Sequence, residues 1–262
     1  MNFEKYERLA FERRENGVLL VTIDRPEKHN AADARMLSEF TSVWRAIQED
    51  DQTRVAVITG RGRAFSAGGD LNEERQKLDD FPSVVKVMAE ARGLVVNMIE
   101  CQKPVISAIN GPAAGAGLAI ALLADISIIG EDVKFTDGHV RIGLAAGDHA
   151  AIIWPLLCGM AKAKYLLLTA DRVDGREAER IGLVSKAVPT ERVLEEALAV
   201  ADGLARGPQY ALQWTKHALN NWLRLAMPTF EASLGLEMLT FFSEDAQEGM
   251  SAFLERRDPR FT

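Results

Sequence analysis

The chain has 262 residues, of which 47% are hydrophobic and 26% are charged, and its formal net charge at pH 7 is −7. A chain of this length can bury a large core without disulfide bridges, and it suits one α/β domain or a domain with an appended helical part. The negative net charge argues against nucleic acid as the main partner.

The cysteines and the N-terminus bear on the cellular compartment. Cys101 and Cys158 lie far apart in the chain and form no CxxC pair, which predicts two buried thiols in a reducing cytoplasm. The first residues are charged and include no apolar secretory core. The most apolar run, residues 113–124, is shorter than the ~20 residues that span a bilayer, and it predicts a buried helix. We therefore expect a cytoplasmic protein with no membrane partner.

The first half of the chain alternates apolar runs with amphipathic ones. Val18–Ile23 is apolar almost throughout and predicts a buried strand. The next run is helical, with Asn30 as its predicted cap. Its apolar side chains recur at helical spacing and are Met36, Leu37, Phe40, Val43, Trp44 and Ile47. Residues 55–58 predict a second strand, a second amphipathic helix starts near Pro82, and Val105–Ile109 predicts the strand after it.

Two segments rich in small residues follow predicted strands. Residues 59–71, TGRGRAFSAGGDL, leave the backbone nearly bare, so its N–H groups can approach a ligand, and Asp70 is predicted to cap the next helix. The segment matches neither the G-x-x-x-x-G-K-[ST] nor the G-x-G-x-x-G phosphate loop. Residues 110–119, NGPAAGAGLA, lead into the apolar run. Each segment has two interpretations, a ligand-binding loop or a turn packed closely against a helix.

The second half of the chain is mostly helical. Residues 126–129 and 183–188 predict strands, and Asp174 is predicted to cap a short helix. From residue 191 onward the pattern is helical throughout, with candidate helices at 191–206, 208–226 and 229–244. The chain therefore predicts an α/β core in residues 1–195 and a C-terminal helical subdomain in residues 196–262.

Four segments together resemble the enoyl-CoA hydratase/isomerase (crotonase) superfamily. They are RPEKHNA at 25–31, the segment at 59–71, KPVISAING at 103–111 and the closing helix at 248–257. The resemblance covers nearly the whole chain and implies a crotonase-like spiral of ββα turns, assembled as a homotrimer or homohexamer. It also implies an acyl-CoA thioester as the substrate, so coenzyme A enters as part of the substrate and no separate cofactor is expected.

The resemblance implies binding roles at specific positions. In the family, one main-chain N–H from each small-residue segment binds the thioester oxygen, and those donors fall at Ala67 and Ala116. Losing one such donor typically costs about 3 kcal/mol of transition-state stabilisation. The implied coenzyme A contacts are Lys28, Ala31, Ala67, Gly68, Gly69, Asp70 and Leu71. Lys28, Arg61 and Arg63 either meet phosphate groups or are ordinary surface charges.

The catalytic positions depart from the family pattern. Hydratases of the family carry two glutamates, and the matching positions here are Ala119 and His139. An isomerase needs only one base, for which His139 is a candidate. His139 shares the segment DGHVRIGLAAGDH, residues 137–149, with Asp148. A histidine beside an aspartate that fixes its tautomer is a competent base for water. The alternatives are a structural histidine and, for the aspartate, a helix N-cap.

The run Gly-Asp-x-Ala-x-x-x-Trp-Pro at 147–155 also resembles 6-oxocamphor hydrolase, a crotonase-fold β-diketone hydrolase with a catalytic histidine and aspartate in this region. Three hypotheses follow. The first is an acyl-CoA hydratase or isomerase that uses His139 and Asp148. The second is a hydrolase of C–C bonds beside a β-keto group, although the retained Ala-Gly-Gly-Asp at 67–70 favours a thioester substrate. The third, suggested by Ala119, is a thioester binder with little turnover. The histidine spacing predicts no metal site.

Overall fold

A six-stranded sheet lies at the centre of the computed structural model, which describes residues 3–78 and 80–262. In spatial order its strands are β1 (Leu9–Arg13), β2 (Val18–Ile23), β3 (Val55–Gly60), β4 (Val105–Ile109), β5 (Ile126–Gly130) and β8 (Lys186–Val188). β1 pairs antiparallel with β2, and every later pair is parallel. A separate antiparallel pair joins β6 (Lys134–Phe135) and β7 (Val173–Asp174).

The helices cover both faces of the sheet. In chain order they are α1 (Ala34–Glu49), α2 (Leu71–Gln76), α3 (Phe81–Glu100), α4 (Gly115–Leu123), α5 (Ala150–Cys158), α6 (Met160–Thr169), α7 (Gly175–Arg180), α8 (Val193–Ala205), α9 (Gln209–Leu219), α10 (Asn221–Leu225), α11 (Met227–Thr240) and α12 (Glu244–Glu255). One-turn 3-10 helices lie at Pro26–Lys28, His139–Ile142 and Thr190–Arg192. The predicted α/β class is confirmed.

The parallel strands β2 to β5 were predictable because they are buried on both faces and read as nearly continuous apolar runs. The predicted strands β2 and β4 match the structure residue for residue. The late strand is shorter than predicted, Lys186–Val188 instead of 183–188. β1 was missed because it lies at the sheet edge, where only its first residue is buried and its last two are exposed.

Two helix predictions need correction. The cap of α1 is Asp33, whose carboxylate accepts a hydrogen bond from the Met36 N–H at 2.8 Å, and Asn30 is wrong as its cap. The predicted helix 208–226 is interrupted at Asn220, which separates α9 from α10. Asp70 and Asp174 do cap α2 and α7, as predicted.

The C-terminal helices share the core of the sheet. On one face α8 packs through its alanines and Val193 against β2, β3 and β4. On the other face, Phe230 and Leu234 of α11 and Met250 of α12 join the core that α1, α3 and α4 form. The division at residue 195 falls inside α8 and stays a prediction. Within the described residues, no helix combines the length and apolar character needed to cross a bilayer. Cys101 is a buried free thiol, whereas Cys158 is only half-buried.

Candidate active site

Two loops that follow neighbouring strands of the sheet meet at its C-terminal edge. The first follows β3 and the second precedes α4, and they form a short parallel bridge between Ser66 and Ala113. Gly68, at φ +85°, lies where an added Cβ would be 2.9 Å from the carbonyl oxygen of Ala114. A side chain at this position would therefore strain the backbone and push the loops apart. The small residues are consistent with a ligand-binding loop and with a closely packed turn, because they leave the backbone accessible and also allow close packing.

Asn30 holds the first loop in place instead of capping a helix. Its side-chain amide donates to the carbonyl oxygens of Arg61, Ala64 and Phe65 at 3.0, 2.9 and 3.2 Å. Its Oδ1 accepts from the N–H of Arg25 at 2.9 Å, and the whole residue is buried. Its φ of +57° is a left-handed conformation that asparagine tolerates better than most residues.

Replacing Asn30 with alanine is expected to lower the free energy of unfolding by about 3 kcal/mol. The change leaves three carbonyl oxygens, in two buried contacts and one partly buried contact, without this donor, and it puts alanine in a left-handed conformation. Chemical denaturation measures the effect, with Glu27→Ala as a control, because Glu27 is exposed on the same segment. A loss for Asn30→Ala no larger than that of the control would show that the loop does not depend on this side chain.

In the first loop, the N–H that was predicted to bind the thioester oxygen is engaged elsewhere in the protein. The Ala67 N–H donates to the carbonyl oxygen of His29 at 3.0 Å, so the predicted donor is already engaged within the protein. Gly69 pairs with Ala32 in a parallel bridge whose hydrogen bonds run through the residues on either side of Gly69. The N–H of Gly69 therefore points to the opposite side of the segment. It has no acceptor among the described residues and lines the cavity beside the loop.

The N–H of Ala116, in the second loop, has no acceptor among the described residues. Ala116 is the second residue of α4, and N–H groups in the first turn of a helix have no intrahelical acceptor. The helix dipole adds positive potential at this end. Ala116 and Gly69 line the same cavity, together with Ala119, which is buried and carries no acid.

The cavity has a volume of about 200 Å³ and is mostly apolar. Its apolar wall comes from α3, the segment after the 3-10 turn at 139–142, α11 and α12, and includes Leu94, Val95, Leu144, Phe241, Met250 and Phe253. His139, Asp148 and Glu237 also line it. Such a cavity, largely apolar with a few polar groups, is typical of a small-molecule site.

The imidazole of His139 lies among three carboxylates. Its Nδ1 is 2.8 Å from Oδ1 of Asp137, which is completely buried. Its Nε2 is 3.9 Å from Oδ2 of Asp148 and 3.8 Å from Oε1 of Glu237. The sequence predicted correctly that His139 and Asp148 lie close together. The carboxylate that holds the ring at Nδ1 is that of Asp137, however, and Asp148 faces Nε2.

Glu237 was missed by the sequence analysis. It lies on α11 and reaches the cluster because Gly147 lets the helix approach: a Cβ on Gly147 would lie 2.8 Å from Cβ of Glu237. A signal was present in the sequence, since Glu237 stands at helical spacing from Phe230 and Leu234 and next to Met238, the other residues of α11 that the structure buries. An acid at helical spacing among apolar core residues indicates a specific role, because burying an unpaired charge is costly.

Asp148 is not the cap of the helix that follows it. The cap of α5 is His149, whose side chain makes no capping hydrogen bond. Instead, Oδ1 of Asp148 lies 2.6 Å from Nδ1 of His149. The interpretation of Asp148 as an ordinary N-cap is therefore wrong, and both of its oxygens face histidine nitrogens.

Burial and mutual charge shift the protonation of the cluster. Burial alone would lower the pKa of His139, but Asp137, Asp148 and Glu237 together raise it well above its ordinary value. Burial would raise the pKa of Asp148, yet His149 and His139 hold it well below its usual range. The pKa of Glu237 is raised well above its ordinary value by burial and by the charge of Asp148. The two carboxyl groups beside Nε2 thus have oppositely shifted pKa values, which is typical of an acid and a base.

The same residues have the chemistry of a cation site. Ligand atoms of His139, Asp148 and Glu237 lie within 4.8 Å of one another, as do those of Asp137, Asp148 and His149. Histidine spacing along the chain did not indicate either group, because the path of the segment 137–149 and the approach of α11 bring the ligand atoms together.

The predicted coenzyme A residues divide into two groups. Ala67, Gly68, Gly69 and Leu71 line the cavity. Lys28 is exposed and Ala31 is half-buried, outside that lining, where Ala31 accepts a hydrogen bond from Arg25 at 2.9 Å.

Three further residues near the loop have structural partners or are solvent-exposed. Asp70 caps α2 and lies 3.1 Å from the guanidinium of Arg25. Arg61 pairs with Asp24 at the surface, and Arg63 is exposed. These positions favour the surface-charge interpretation of Arg61, while the contacts with coenzyme A stay a prediction.

Comparisons with known proteins agree with this architecture. A family model described as enoyl-CoA hydratase/isomerase matches residues 13–262. A probable enoyl-CoA hydratase of Rhodobacter capsulatus is 37% identical over 250 residues, which cover 94% of this chain and 95% of that protein. The crystal structure of an enoyl-CoA hydratase/isomerase from Mycobacterium paratuberculosis superposes with a TM-score of 0.88 at 32% identity, covering 93% of this chain and 97% of the other. The predicted crotonase-like fold is confirmed.

A second structural neighbour fits the local resemblance seen at residues 147–155. It is a β-diketone hydrolase from the cyanobacterium Anabaena sp. PCC 7120, bound to (S)-3-oxocyclohexyl acetic acid. It superposes with a TM-score of 0.84 at 30% identity, over 91% of this chain and 96% of the other.

Proposed function

The chain belongs to the enoyl-CoA hydratase/isomerase family, and we propose that it adds water to an acyl-CoA thioester through an enolate, with His139 and Asp148 in place of the usual glutamate pair. One observation carries the proposal. Gly69 and Ala116, whose N–H groups have no acceptor among the described residues, line the same cavity as the His139–Asp148–Glu237 cluster. A site with donors for an oxyanion and a nearby acid–base pair has the parts that this chemistry needs.

The two N–H groups hold the thioester oxygen. Addition of a nucleophile to the β-carbon of an enoyl thioester places negative charge on that oxygen, and fixed donors stabilise it in the mostly apolar cavity. Gly69 takes the role first expected of Ala67, because the Ala67 N–H is engaged with His29. Ala116 keeps its expected role.

The cluster moves the protons. Ionised Asp148 takes a proton from water while the water oxygen bonds to the β-carbon, and the His139 imidazolium gives a proton to the α-carbon. Asp148 then returns its proton to Nε2 of His139, which faces its Oδ2 at 3.9 Å. The raised pKa of His139 supports a role as acid and not as the base first expected. Burial and the charge of Asp148 raise the pKa of Glu237, which favours its protonated form beside them.

Assays with two substrate classes test the proposal. Crotonyl-CoA is expected to lose its enoyl absorbance in the presence of the protein, with formation of the 3-hydroxyacyl thioester. A cyclic β-keto acyl-CoA is tested in parallel. If acyl-CoA binds and neither substrate turns over, the chain is a thioester binder and the catalytic proposal fails.

The dependence of kcat/KM on pH is a further expected result. Ionised Asp148 sets an acid limb, and the pKa of Asp148, which His149 and His139 hold low, places it below the ordinary aspartate range. Protonated His139 sets a base limb, and its pKa, which the three carboxylates raise, places it above the ordinary histidine range. Asp137→Asn removes a negative charge beside the ring, so the pKa of His139 falls and the base limb moves to lower pH by about one unit or more. The neutral amide oxygen still accepts from Nδ1, so turnover at pH 5 changes less than turnover at pH 7. An unmoved base limb would contradict the role of His139.

A second candidate is hydrolysis of a C–C bond beside a β-keto group. It is favoured by the likeness to the Anabaena β-diketone hydrolase at 30% identity. In this reaction Asp148 takes a proton from water while the water oxygen adds to the ketone carbon. The C–C bond then breaks, and His139 protonates the carbon of the resulting enolate. Cleavage of the cyclic β-keto substrate without hydration of crotonyl-CoA would select this candidate.

Assembly into a cytoplasmic homotrimer or homohexamer is part of the proposal. Large side chains are exposed on α9 and α10, namely Tyr210, Trp214, Leu219, Trp222 and Leu225. An apolar cluster of this kind supports burial against another copy of the chain. Light scattering is expected to give the mass of three or six chains, and a stable monomer would contradict this.

A further inference from the structure

His149 is a buried histidine that the proposed reaction does not use. Its side chain is fully buried, and its Nδ1 lies 2.6 Å from Oδ1 of Asp148. Its Nε2 has no partner among the described residues. A buried ring with a single short hydrogen bond, to the residue that we assign as the base, calls for a specific explanation.

We propose that His149 is a positioning residue that orients Asp148 and keeps it ionised. This role rests on the proposed role of Asp148 as the base. His149 follows Asp148 directly and caps α5. His149 itself does not line the cavity and therefore touches no substrate.

The orientation follows from how the two oxygens of Asp148 divide their contacts. Oδ1 lies against Nδ1 of His149, and Oδ2 faces Nε2 of His139 and the cavity. Fixing one oxygen of a planar carboxylate fixes the other. His149 is a rigid support because its carbonyl oxygen accepts from the N–H groups of Ile152 and Ile153, at 3.2 and 3.1 Å, in the first turn of α5.

The ionisation follows from the charges around the carboxylate. Asp148 is faced by His149, by His139 and by Glu237, and Asp137 lies close to both Asp148 and His149. A carboxylate buried beside two other acids needs a hydrogen-bond donor to stay ionised. Short hydrogen bonds to an ionised group are the strong ones, and Nδ1–H of His149 supplies such a bond.

The alternative is that the ring only fills space at the start of the helix. Two substitutions of similar polarity separate the alternatives. His149→Asn places a side-chain N–H close to the position of Nδ1, whereas His149→Gln places it one bond farther along, near the position of Nε2. Both keep a polar side chain, and thermal unfolding identifies any variant that fails to fold.

We expect the two variants to differ in their pH profiles. His149→Asn is expected to keep kcat within about threefold and the acid limb unmoved. His149→Gln is expected to lower kcat about tenfold or more with little change in KM, and to move the acid limb up by about one pH unit, since Asp148 loses its donor. Equal kcat and equal acid limbs in two folded variants would overturn the proposal.

A second readout does not depend on turnover. Carbon-13 NMR of labelled aspartate carboxyls follows the titration of Asp148, assigned by its loss in Asp148→Asn. His149→Gln is expected to raise the titration midpoint by about one unit, and His149→Asn is expected to leave it near wild type. If no acyl-CoA turns over but this shift appears, the proposed function fails and the role of His149 holds. If turnover occurs and the shift is absent, only the role of His149 fails.

Discussion

Replacing Asp148 with asparagine is expected to lower kcat by about 10³-fold while the affinity for acyl-CoA stays within a factor of about three. Asparagine keeps the size and shape of the side chain but cannot take a proton from water, and general acid–base catalysis is typically worth 10²–10⁴-fold. The glycine-rich loop that is expected to contact coenzyme A does not depend on this carboxylate. Steady-state kinetics give kcat, and calorimetric titration with a non-reactive acyl-CoA gives the affinity.

The matched control is Asp171→Asn. Asp171 accepts a hydrogen bond from the hydroxyl of Tyr165 at 2.8 Å on an exposed surface, outside the lining of the cavity. The same chemical change there is expected to leave kcat unaltered. If Asp148→Asn turned over at the rate of this control, Asp148 would be a structural residue, and the cluster would need a different base.

Replacing Ala116 with proline is expected to lower kcat/KM by about 10²–10³-fold. Proline has no N–H, so the substitution removes the second donor to the thioester oxygen, and removal of one such donor typically costs this much. Ala116 is the second residue of α4, where proline is tolerated because that N–H has no partner in the helix. Gly115, which precedes it, has no Cβ to clash with the proline ring.

Ala116→Gly is the control, because it keeps the N–H and removes only a methyl group. Its kcat/KM is expected to stay within about threefold of wild type, with a loss of about 1 kcal/mol or less in stability. Circular dichroism and thermal unfolding establish that both variants are folded. A folded proline variant as active as the glycine variant would remove Ala116 from the proposed donors and leave Gly69 as the single one.

Parts of the site were predictable because the signal is local. The small residues of the two loops, the cap Asp70 and the pair His139 and Asp148 all come from short segments with a recognisable pattern. The assignment of Ala67 as donor failed because the direction of an N–H depends on the segment with which the residue pairs. Here the Ala67 N–H donates to the carbonyl oxygen of His29. The cap role of Asn30 failed for a similar reason, because its partners lie in a loop more than thirty residues later.

The sequence by itself determined the buried strands, the glycine-rich loops and the helical C-terminal half, because each depends on residues that are neighbours along the chain. Only the tertiary structure decided that Glu237 of α11 meets His139, that Asp137 holds Nδ1, and that Asp148 contacts His149 instead of capping α5. The contact of Glu237 depends on how closely α11 can approach the cluster, as Gly147 allows. The other two contacts depend on the path of the loop 137–149, which residue types alone do not determine. Packing between distant segments leaves little periodic signal in a single sequence, which is why Glu237 emerged only from the fold.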